Sequence, residues 1–446
     1  MPARVLPQWF DDAKLGVFVH WTPASVPAFA PVGPDPFTVA ARDGWERAMR
    51  ENPYVEWYQN SLAIDGSPVQ WHHRATYGDT GYDAFVREFV AAQDCWHADA
   101  WAQLFAAAGA RYVVLVTKHH DGFLQWPSAT LPLREGWHAR RDVVGELARA
   151  VRERGMRFGV YYSGGLDWTF GGLPITDLAS MLRAIPQSDD YVRYVDAHWR
   201  ELIARVEPSV LWADIGSPAG LDLAALFAHY YGRVPDGVVN NRFDMLGVAA
   251  GTVHADFVTP EYSTSSDATG PKWETTRGMG TSFGFNREET DDDYLSPRAL
   301  VHLVVEVVAA GGNLLLNVGP NADGTVVWDQ ATRLVALGHW LHANGEAIYD
   351  TVPSGLPGTT NRAGDAVRFT HGRAGDVTYA IVLDPSPRRD VHLPGVDGTD
   401  VVEVTRVDAR CPLHHSAVDD GVVVTLPAAA EPTPALAFRL ALARAR

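Results

Sequence analysis

Asp214 is the first residue whose type and position could support chemistry. It ends the apolar run at 209–214, and Trp212 lies two residues earlier, on the same face of an extended strand. An aspartate after a strand also caps helices well, so a capping role stays open at this point. Flat aromatic rings pack against the C–H surfaces of pyranose sugars. The pair of residues therefore favours a sugar-binding cleft.

Hydrolysis of a glycoside uses a second carboxyl group that starts the reaction protonated. The sequence offers four candidates for it, namely Glu56, Asp256, Glu261 and Glu274. A partly apolar setting is needed to keep the proton near neutral pH. Glu261 stands between Pro260 and Tyr262 and fits this better than Glu274, which has basic neighbours. We therefore prefer Glu261, and a retaining enzyme would place its carboxyl group about 5–5.5 Å from that of the nucleophile.

His119 and His120, in the segment TKHHDGF, offer a competing chemistry. With His20 and nearby carboxylates, paired histidines could hold zinc as in metal-dependent barrel hydrolases. Adjacent residues of a strand point to opposite faces, so these two would share one ion only if the strand ends there. As neutral rings they can instead exchange hydrogen bonds with sugar hydroxyls. The sequence favours this second role and leaves a zinc-dependent hydrolase as an alternative.

Short apolar runs rich in β-branched residues precede most of these chemical groups. The runs lie at 16–20, 111–120, 157–162, 209–214, 237–242 and 311–319. Their continuous apolar character predicts strands buried on both faces, as in a parallel sheet. Segments with the helical spacing of apolar residues lie between them, at 97–110, 142–155 and 296–312. The alternation of strands and helices predicts an α/β fold.

The ends of the predicted strands distinguish a closed barrel from an open, doubly wound sheet. Six side chains fall at or just after these ends, namely His20, His119, His120, Tyr161, Asp214 and Arg242. A closed barrel brings all its strand ends to one mouth. An open sheet would use a Gly-rich phosphate loop, and no GxGxxG or GxxxxGK[ST] motif occurs. We therefore expect a TIM-like (β/α) barrel with the site at its mouth.

The C-terminal part of the sequence has a different pattern. After 344–358 it consists of short alternating segments separated by Gly, Pro and Asp turns. This pattern predicts an antiparallel β-sandwich domain at 346–446, behind a catalytic barrel domain at 1–345. The segment 26–80 is rich in Pro and Trp, and we expect it to be a long ordered loop with a function.

The composition restricts the partners of the protein. Lys and Arg number 37, and Asp and Glu number 54, which gives a net charge of −17 at pH 7. An acidic surface repels phosphate backbones and anionic lipids, so we expect a neutral substrate and neither a nucleic-acid nor a membrane partner. The N-terminus has no apolar signal segment, which predicts a cytoplasmic location. Assembly into a homo-oligomer stays open.

The order of several sequence blocks resembles the α-L-fucosidases of glycoside hydrolase family 29. The blocks include AKLGVFVHW (13–21), NPYVEWYQNS (52–61), YVVLVTKHHDGF (112–123), LWADIG (211–216) and GGNLLLNVGPNADG (311–324). Together with five further blocks they cover the whole predicted barrel in order. The resemblance implies a retaining exo-glycosidase that hydrolyses terminal α-L-fucosyl residues of oligosaccharides or glycoconjugates, with no cofactor or metal.

The resemblance also implies roles for individual residues. Asp214 matches the nucleophile and Glu261 the acid/base. Residues matching those that hold the sugar or line the pocket are His20, Glu56, Trp57, His119, His120, Tyr161 (preferred over Tyr162), Trp212 and Arg242. Phe285 matches an aromatic residue near the C5 methyl group of L-fucose. A polar wall at that point would indicate an L-galactoside or L-glucoside instead, which is the alternative substrate class.

Overall fold

The computed structural model describes residues 4–264, 272–375 and 377–443. Eight parallel strands lie in the N-terminal part of the chain: β1 (Leu15–Val19), β2 (Tyr112–Lys118), β3 (Arg157–Tyr162), β4 (Val210–Ala213), β5 (Val238–Val239), β6 (Phe257–Val258), β7 (Lys272–Gly278) and β8 (Asn313–Val318). They pair in the order β5-β4-β3-β2-β1-β8-β7-β6. A bridge between Asn240 and Phe257 joins the two ends and nearly closes the sheet. The prediction of a TIM-like barrel is confirmed.

The strands form where the apolar runs predicted them, with two exceptions. In the centre of the barrel Val17 of β1 pairs with Val113 of β2 and Leu316 of β8, and all three are fully buried. The runs did not indicate β6, which has two residues, or β7, which has the polar sequence KWETTRG. Large aromatic residues fill the interior of the barrel, namely Phe18, Tyr112, Tyr161, Trp212 and Phe257.

Helices surround the barrel and also build up its mouth. They are α1 (Gln8–Ala13), α2 (Pro36–Asp43), α3 (Trp45–Arg50), α4 (Tyr58–Ala63), α5 (Pro68–Tyr77), α6 (Tyr82–Ala92), α7 (Ala98–Ala107), α8 (Val143–Glu153), α9 (Leu178–Arg183), α10 (Asp189–Val206), α11 (Leu223–Arg233), α12 (Met245–Ala249), α13 (Pro297–Ala309) and α14 (Trp328–Asn344). The predicted helices correspond to α7, α8 and α13. In α8, Asp142 caps the N-terminus by accepting from the Gly145 amide, while Leu147 and Val151 face the core.

The expectation of a long loop at 26–80 was wrong, because this segment contains four short helices, α2 to α5. Its prolines begin helices instead of interrupting them. Asp35 caps α2 and is followed by Pro36, and Ser67 caps α5 and is followed by Pro68. A capping side chain followed by proline at the first helical position is a helix start signal. The segment is therefore a rigid wall beside the barrel mouth.

The C-terminal strands form a second, antiparallel sheet. They are β9 (Thr351–Pro353), β10 (Thr359–Thr360), β11 (Ala366–Gly372), β12 (Val377–Leu383), β13 (Asp390–Pro394), β14 (Val401–Arg406), β15 (Cys411–Val418), β16 (Gly421–Thr425) and β17 (Ala435–Leu442). The strands enclose an apolar core of their own, which includes Phe369, Leu393 and Phe438. The predicted division at 345 and 346 falls between the end of α14 and the start of β9.

Contacts join the second sheet to the barrel helices. The Trp340 indole of α14 donates to the Ala435 carbonyl at 3.0 Å, and Arg368 of β11 lies 2.6 Å from Glu306 of α13. Within the described ranges, no helix is both long and apolar enough to cross a membrane.

Candidate active site

A cavity of about 650 Å³ opens at the carboxyl ends of the barrel strands. Ten of the residues singled out in the sequence line it: His20, Glu56, Trp57, His119, His120, Tyr161, Trp212, Asp214, Arg242 and Glu261. The eleventh, Phe285, does not, and Phe283 lines the cavity instead. The volume is within the usual range for small-molecule sites. The barrel mouth is therefore the candidate active site.

Asp214 follows β4 directly and turns its carboxylate into the cavity. Its Oδ1 accepts from Arg242 Nη1 at 2.9 Å, and its Oδ2 accepts from the Tyr161 hydroxyl at 2.9 Å. Burial alone raises the pKa of Asp214, but the charge of Arg242 and these hydrogen bonds outweigh it, so the pKa lies below its usual value. The capping role does not apply, since Asp222 caps the next helix. Asp214 is an ionised carboxylate facing open space.

Glu261 lies beyond β6, on the other side of Arg242. Its Oε1 is 2.7 Å from Arg242 Nη2. Burial raises the pKa of Glu261; Arg242 opposes this shift, while the negative charge of Asp214 adds to it, and the pKa lies above its usual value. The pKa values of the two carboxyl groups therefore shift in opposite directions. This division suits a nucleophile and an acid.

Contacts with the protein hold the whole guanidinium group of Arg242 in place. It lies in a short 3₁₀ turn after β5, where its Nε donates to Thr259 Oγ1 at 2.8 Å and its Nη2 to the Thr259 carbonyl at 2.9 Å. Its guanidinium also lies over the Trp212 ring, 4.7 Å from the ring centre. The three nitrogens are thus engaged by Thr259 and the two carboxyl groups. The structure gives Arg242 the contacts of a positioning residue.

The backbone is strained immediately after both carboxyl residues. Ile215 has φ 55° and Tyr262 has φ 52°, which is the left-handed region. This region is unfavourable for β-branched and bulky residues and costs about 1–3 kcal/mol per residue. Strain of this kind is retained where the surrounding structure fixes a functional side chain. The matching strain supports a functional role for Asp214 and Glu261 together.

Two histidines at the mouth, His20 and His120, are neutral, and neighbouring residues fix their tautomers. Ser163 donates its only hydroxyl hydrogen to the Leu166 carbonyl at 2.8 Å, so it accepts from His120 Nδ1 at 2.7 Å. His20 Nδ1 is 2.6 Å from Asn317 Oδ1. Burial lowers the pKa of His20 to about 4 and that of His120 to about 3. Both rings therefore keep Nε2 as a hydrogen-bond acceptor.

His119 and His120 both reach the cavity because β2 ends at Lys118. Their ring centres are 4.0 Å apart, so the rule of opposite faces no longer applies at this point. His120 Nε2 lies 3.9 Å from Asp214 Oδ2. In the part of the chain that the structure describes, no group of three or more His, Cys, Asp or Glu side chains is arranged to hold a metal ion.

Phe283, and not Phe285, forms the aromatic wall, because hydrogen bonds fix the backbone on either side of Gly284. The Gly284 amide donates to Glu56 Oε2 at 2.8 Å, and the Phe283 carbonyl accepts from the Asn317 side chain. The Phe283 ring lies 5.0 Å from the His20 ring. Phe285 does not line the cavity in this structure, and its expected place near the C5 methyl group stays a prediction.

The remaining acidic candidates have different surroundings. Asp256 is held by the Val239 amide at 2.8 Å and the Tyr231 hydroxyl at 2.6 Å, away from the cavity. Glu274 is inside the barrel, where it accepts from the Trp212 indole at 3.0 Å. Glu56 lines the cavity, and burial raises its pKa to about 8, against the opposing hydrogen bond from Gly284. Glu56 is thus a protonated donor at the cavity wall.

Sequence reasoning did not identify Ser163, Asn317 or Thr259 as part of the site. A signal for Asn317 was present, since a polar residue inside the apolar run LLLNVG needs a buried partner. Ser163 and Thr259 had no comparable signal because serine and threonine after a strand are common in turns.

Comparison with known proteins identifies relatives over the full length. The family model described as Alpha-L-fucosidase matches residues 1–346. The α-L-fucosidase of Branchiostoma floridae is 33% identical over 447 residues, covering 96% of this chain and 90% of that protein. Human plasma α-L-fucosidase is 36% identical over 372 residues, covering 79% and 71%. A crystal structure of Thermotoga maritima α-fucosidase with a mechanism-based inhibitor has a TM-score of 0.86 at 37% identity, covering 98% and 97%.

Proposed function

We propose that this chain, which belongs to the α-L-fucosidase family and is a hydrolase acting on fucosyl glycosides, releases terminal α-L-fucosyl residues. The reaction is a retaining double displacement. Asp214 is the nucleophile and Glu261 the acid/base. The observation that carries the proposal is the position of Arg242, 2.9 Å from Asp214 Oδ1 and 2.7 Å from Glu261 Oε1. One guanidinium thus holds two carboxyl groups whose pKa values shift in opposite directions.

In the first step the Asp214 carboxylate attacks the anomeric carbon of the fucosyl residue. The bond from that carbon to the aglycone oxygen breaks, and Glu261 gives its proton to this oxygen. The result is a fucosyl ester on Asp214 and a carboxylate on Glu261. In the second step Glu261 takes a proton from water, the water oxygen attacks the same carbon, and Asp214 leaves. Two inversions retain the α configuration.

The surrounding residues hold the ring during both steps. His20 and His120 present Nε2 as an acceptor, and Glu56 offers a carboxyl proton, so sugar hydroxyls find both donors and acceptors. Hydrogen bonds that tighten as the ring flattens stabilise the transition state more than the ground state. Tyr161 donates to Asp214 in the free enzyme and keeps the carboxylate aimed at the cavity.

The apolar part of the cavity supports L-fucose over related sugars. Phe18 and Phe283 line it on either side of His20, with ring centres 4.5 Å and 5.0 Å from the His20 ring. L-Fucose carries a methyl group at C5, where L-galactose carries a hydroxymethyl group. A buried hydroxyl without a partner is costly, so this wall favours the methyl group.

The proposal is tested first with p-nitrophenyl α-L-fucoside beside the α-L-galactoside, each with and without EDTA. We expect hydrolysis of the fucoside that EDTA does not change, and slower hydrolysis of the galactoside. Proton NMR at early times should show the α anomer of L-fucose as the first product. First release of the β anomer would contradict double displacement, and faster cleavage of the galactoside would contradict the methyl-binding wall.

Trapping the intermediate tests the nucleophile directly. A 2-deoxy-2-fluoro-α-L-fucosyl donor with a good leaving group forms the ester faster than water removes it. Mass spectrometry of the digested protein should place the label on Asp214. Label on Glu261 or Glu56 would overturn the assignment.

A further inference from the structure

Apolar side chains from three remote segments surround the outer part of the cavity. Phe37 of α2, Leu178 of α9 and Met245 of α12 line it and are 52%, 41% and 56% exposed. Trp45 and Met181 lie beside them on the cavity wall. We call these five residues the apolar vestibule. Exposed apolar groups that converge on one opening indicate a binding surface.

The apolar vestibule has a rigid support. Trp45 and Met181 pack against a buried cluster that includes Met49 and Trp57. The rings of Phe37 and Trp45 meet edge to face, with centres 5.7 Å apart. A surface held in place in this way loses little conformational entropy when a ligand covers it.

Two polar side chains on the cavity wall, Asp35 and Asn52, accept hydrogen bonds from within the protein. Asp35 accepts from the Phe37 and Thr38 amides, both at 3.0 Å, and from the Thr38 hydroxyl at 2.7 Å. Asn52 accepts from the Tyr54 amide at 2.9 Å. A second sugar ring would bring several hydroxyl groups that need hydrogen-bond partners. The exposed apolar surface of Phe37, Leu178 and Met245 at the opening favours an apolar group in this place.

We propose that the apolar vestibule binds an apolar aglycone, an alkyl or aryl group attached to the fucosyl residue. The inference rests on the proposed function, in which the fucosyl ring occupies the inner cavity beside Asp214. Because the fucosyl residue is terminal, its aglycone leads from the anomeric carbon toward the opening, where Phe37, Leu178 and Met245 lie.

Binding of sulfur-linked fucosides separates this inference from turnover, since thioglycosides resist hydrolysis. Dissociation constants are measured by calorimetry for the methyl, hexyl, 2-phenylethyl and galactosyl 1-thio-α-L-fucosides. We expect the hexyl or the phenylethyl compound to bind at least about tenfold tighter than the methyl compound, as burial of a few methylene groups predicts. The comparison between these two distinguishes an alkyl from an aryl preference.

Variants locate the effect. The double substitution Phe37→Ser and Met245→Ser should reduce the hexyl and phenylethyl advantage to about twofold or less, since most of the exposed apolar surface is then gone. Trp328→Ser is the matched control, because Trp328 is 79% exposed and does not line the cavity. It should leave the advantage unchanged.

Three outcomes would overturn the inference: equal affinity for the methyl, hexyl and phenylethyl compounds, an advantage that survives the double substitution, or tightest binding of the galactosyl compound. Hydrolysis of p-nitrophenyl α-L-fucoside is followed in parallel. If the unmodified enzyme does not hydrolyse p-nitrophenyl α-L-fucoside, the proposed function is contradicted. If it does, and the methyl, hexyl and phenylethyl compounds bind equally, only the proposed binding of an apolar aglycone by the vestibule is contradicted.

Discussion

Charged side chains are buried at both ends of the barrel, in opposite arrangements. At the mouth one cation, Arg242, lies between two carboxyl groups. At the opposite end one carboxylate, Asp11 of α1, lies among cations: Lys272 is 2.7 Å away, Lys14 is 3.7 Å away, and Arg373 from the C-terminal sheet is in contact. Both clusters follow from strand ends, since Lys14 precedes β1 and Lys272 begins β7.

The two clusters differ in their surroundings: the charged groups at the mouth border a cavity, and those at the opposite end make further contacts with the protein. At the mouth Asp214 and Glu261 line the cavity, so their carboxyl groups border space that a substrate can fill. At the bottom Lys272 also donates to the Gly311 carbonyl at 2.7 Å, and Arg373 also binds Asp12 at 2.7 Å. The contacts of Arg373 with Asp11 and Asp12 join the barrel to the second sheet.

Charged clusters at the two ends of a barrel have different roles. Clusters at the carboxyl ends of the strands carry chemistry, and clusters at the other end carry stability. The cluster at the mouth contains two acids whose pKa values shift in opposite directions. The structural cluster shows one acid whose pKa its cations hold low. Substitutions at the two ends should therefore affect different quantities.

The largest effect is expected from Asp214→Gly. Without a nucleophile kcat should fall on the order of 10⁴-fold or more. The stability of the variant should stay close to that of the parent, because functional sites are not optimised for stability. Azide, which fits the vacated space, should restore part of the turnover of p-nitrophenyl α-L-fucoside and give a fucosyl azide. Full activity without azide would remove Asp214 from the mechanism.

Glu261→Gln should have the next largest effect, and it should depend on pH and leaving group. An alkyl fucoside needs protonation of its oxygen, so its kcat/KM should fall about 10²–10⁴-fold, while an activated aryl fucoside should lose far less. In the parent enzyme kcat/KM should rise as Asp214 ionises, at a pKa below its usual value, and should fall as Glu261 loses its proton, at a pKa above its usual value.

The alkaline decline should disappear in Glu261→Gln when the aryl substrate is used, since no proton donor remains to be lost. Initial rates over the pH range with both substrates check this. A decline that persists would assign the alkaline limb to Glu56, whose pKa is about 8. Equal losses for alkyl and aryl fucosides would contradict the role of Glu261 as an acid.

Asp11→Asn at the other end should lower stability by about 2–4 kcal/mol and leave kcat/KM unchanged, because it leaves buried cations without their partner. Burial raises the pKa of Asp11, but Lys272 and Lys14 outweigh it and lower the pKa to about 2. A carboxyl group with a lowered folded pKa stabilises fully above its unfolded value and loses this contribution as pH falls toward the folded value.

Urea unfolding at several pH values measures this difference. The gap between parent and variant should be complete at pH 6 and should close between about pH 4 and pH 2. A large fall in kcat/KM of Asp11→Asn under conditions where the variant is folded would contradict the separate roles of the two clusters.

The smallest effect is expected from Ser163→Ala, which acts on the mouth through another residue. His120 Nδ1 would lose its acceptor, and the fixed tautomer would be lost with it. We expect kcat/KM to fall about tenfold, as for other residues that orient an active-site imidazole. Ser128→Ala is the matched control, since Ser128 is a buried serine that binds Glu201 outside the cavity.

Nitrogen NMR of the imidazoles gives a readout that a general loss of packing would not change. The parent should show His120 with a proton on Nδ1, and Ser163→Ala should show a mixture of tautomers. An unchanged spectrum with reduced activity would mean that Ser163 acts by another route.

The sequence predicted the parts of the fold that local pattern controls. Continuous apolar runs identified six strands, and spacing with following glycines identified α7, α8 and α13. β7 escaped because its buried positions carry the polar residues Glu274, Thr275 and Thr276. The partners of Glu274, Tyr112 and Trp212, come from other strands. The helices of 26–80 escaped because their prolines were interpreted as marks of a loop.

The candidate site was predictable to the level of strand ends. Asp214, His20 and Tyr161 line the cavity because a barrel brings these ends together, and the polar residues at separate strand ends had indicated a barrel. The neighbours of Glu261 favoured it among four acidic candidates, and the resemblance added the expected role of Glu56 in holding the sugar. The catalytic roles of Asp214 and Glu261 stay predictions.

Only the tertiary structure decided how these groups contact each other. It placed Arg242 between the two carboxyl groups. It placed Phe283, and not Phe285, on the cavity wall, and it brought His119 and His120 to the same cavity. The positions of strands and helices along the chain depend on local sequence pattern, so the sequence determines them. Distances of 2.7 to 2.9 Å between residues from different strands depend on the packing of the whole barrel, because a shift of one residue in any turn would break them.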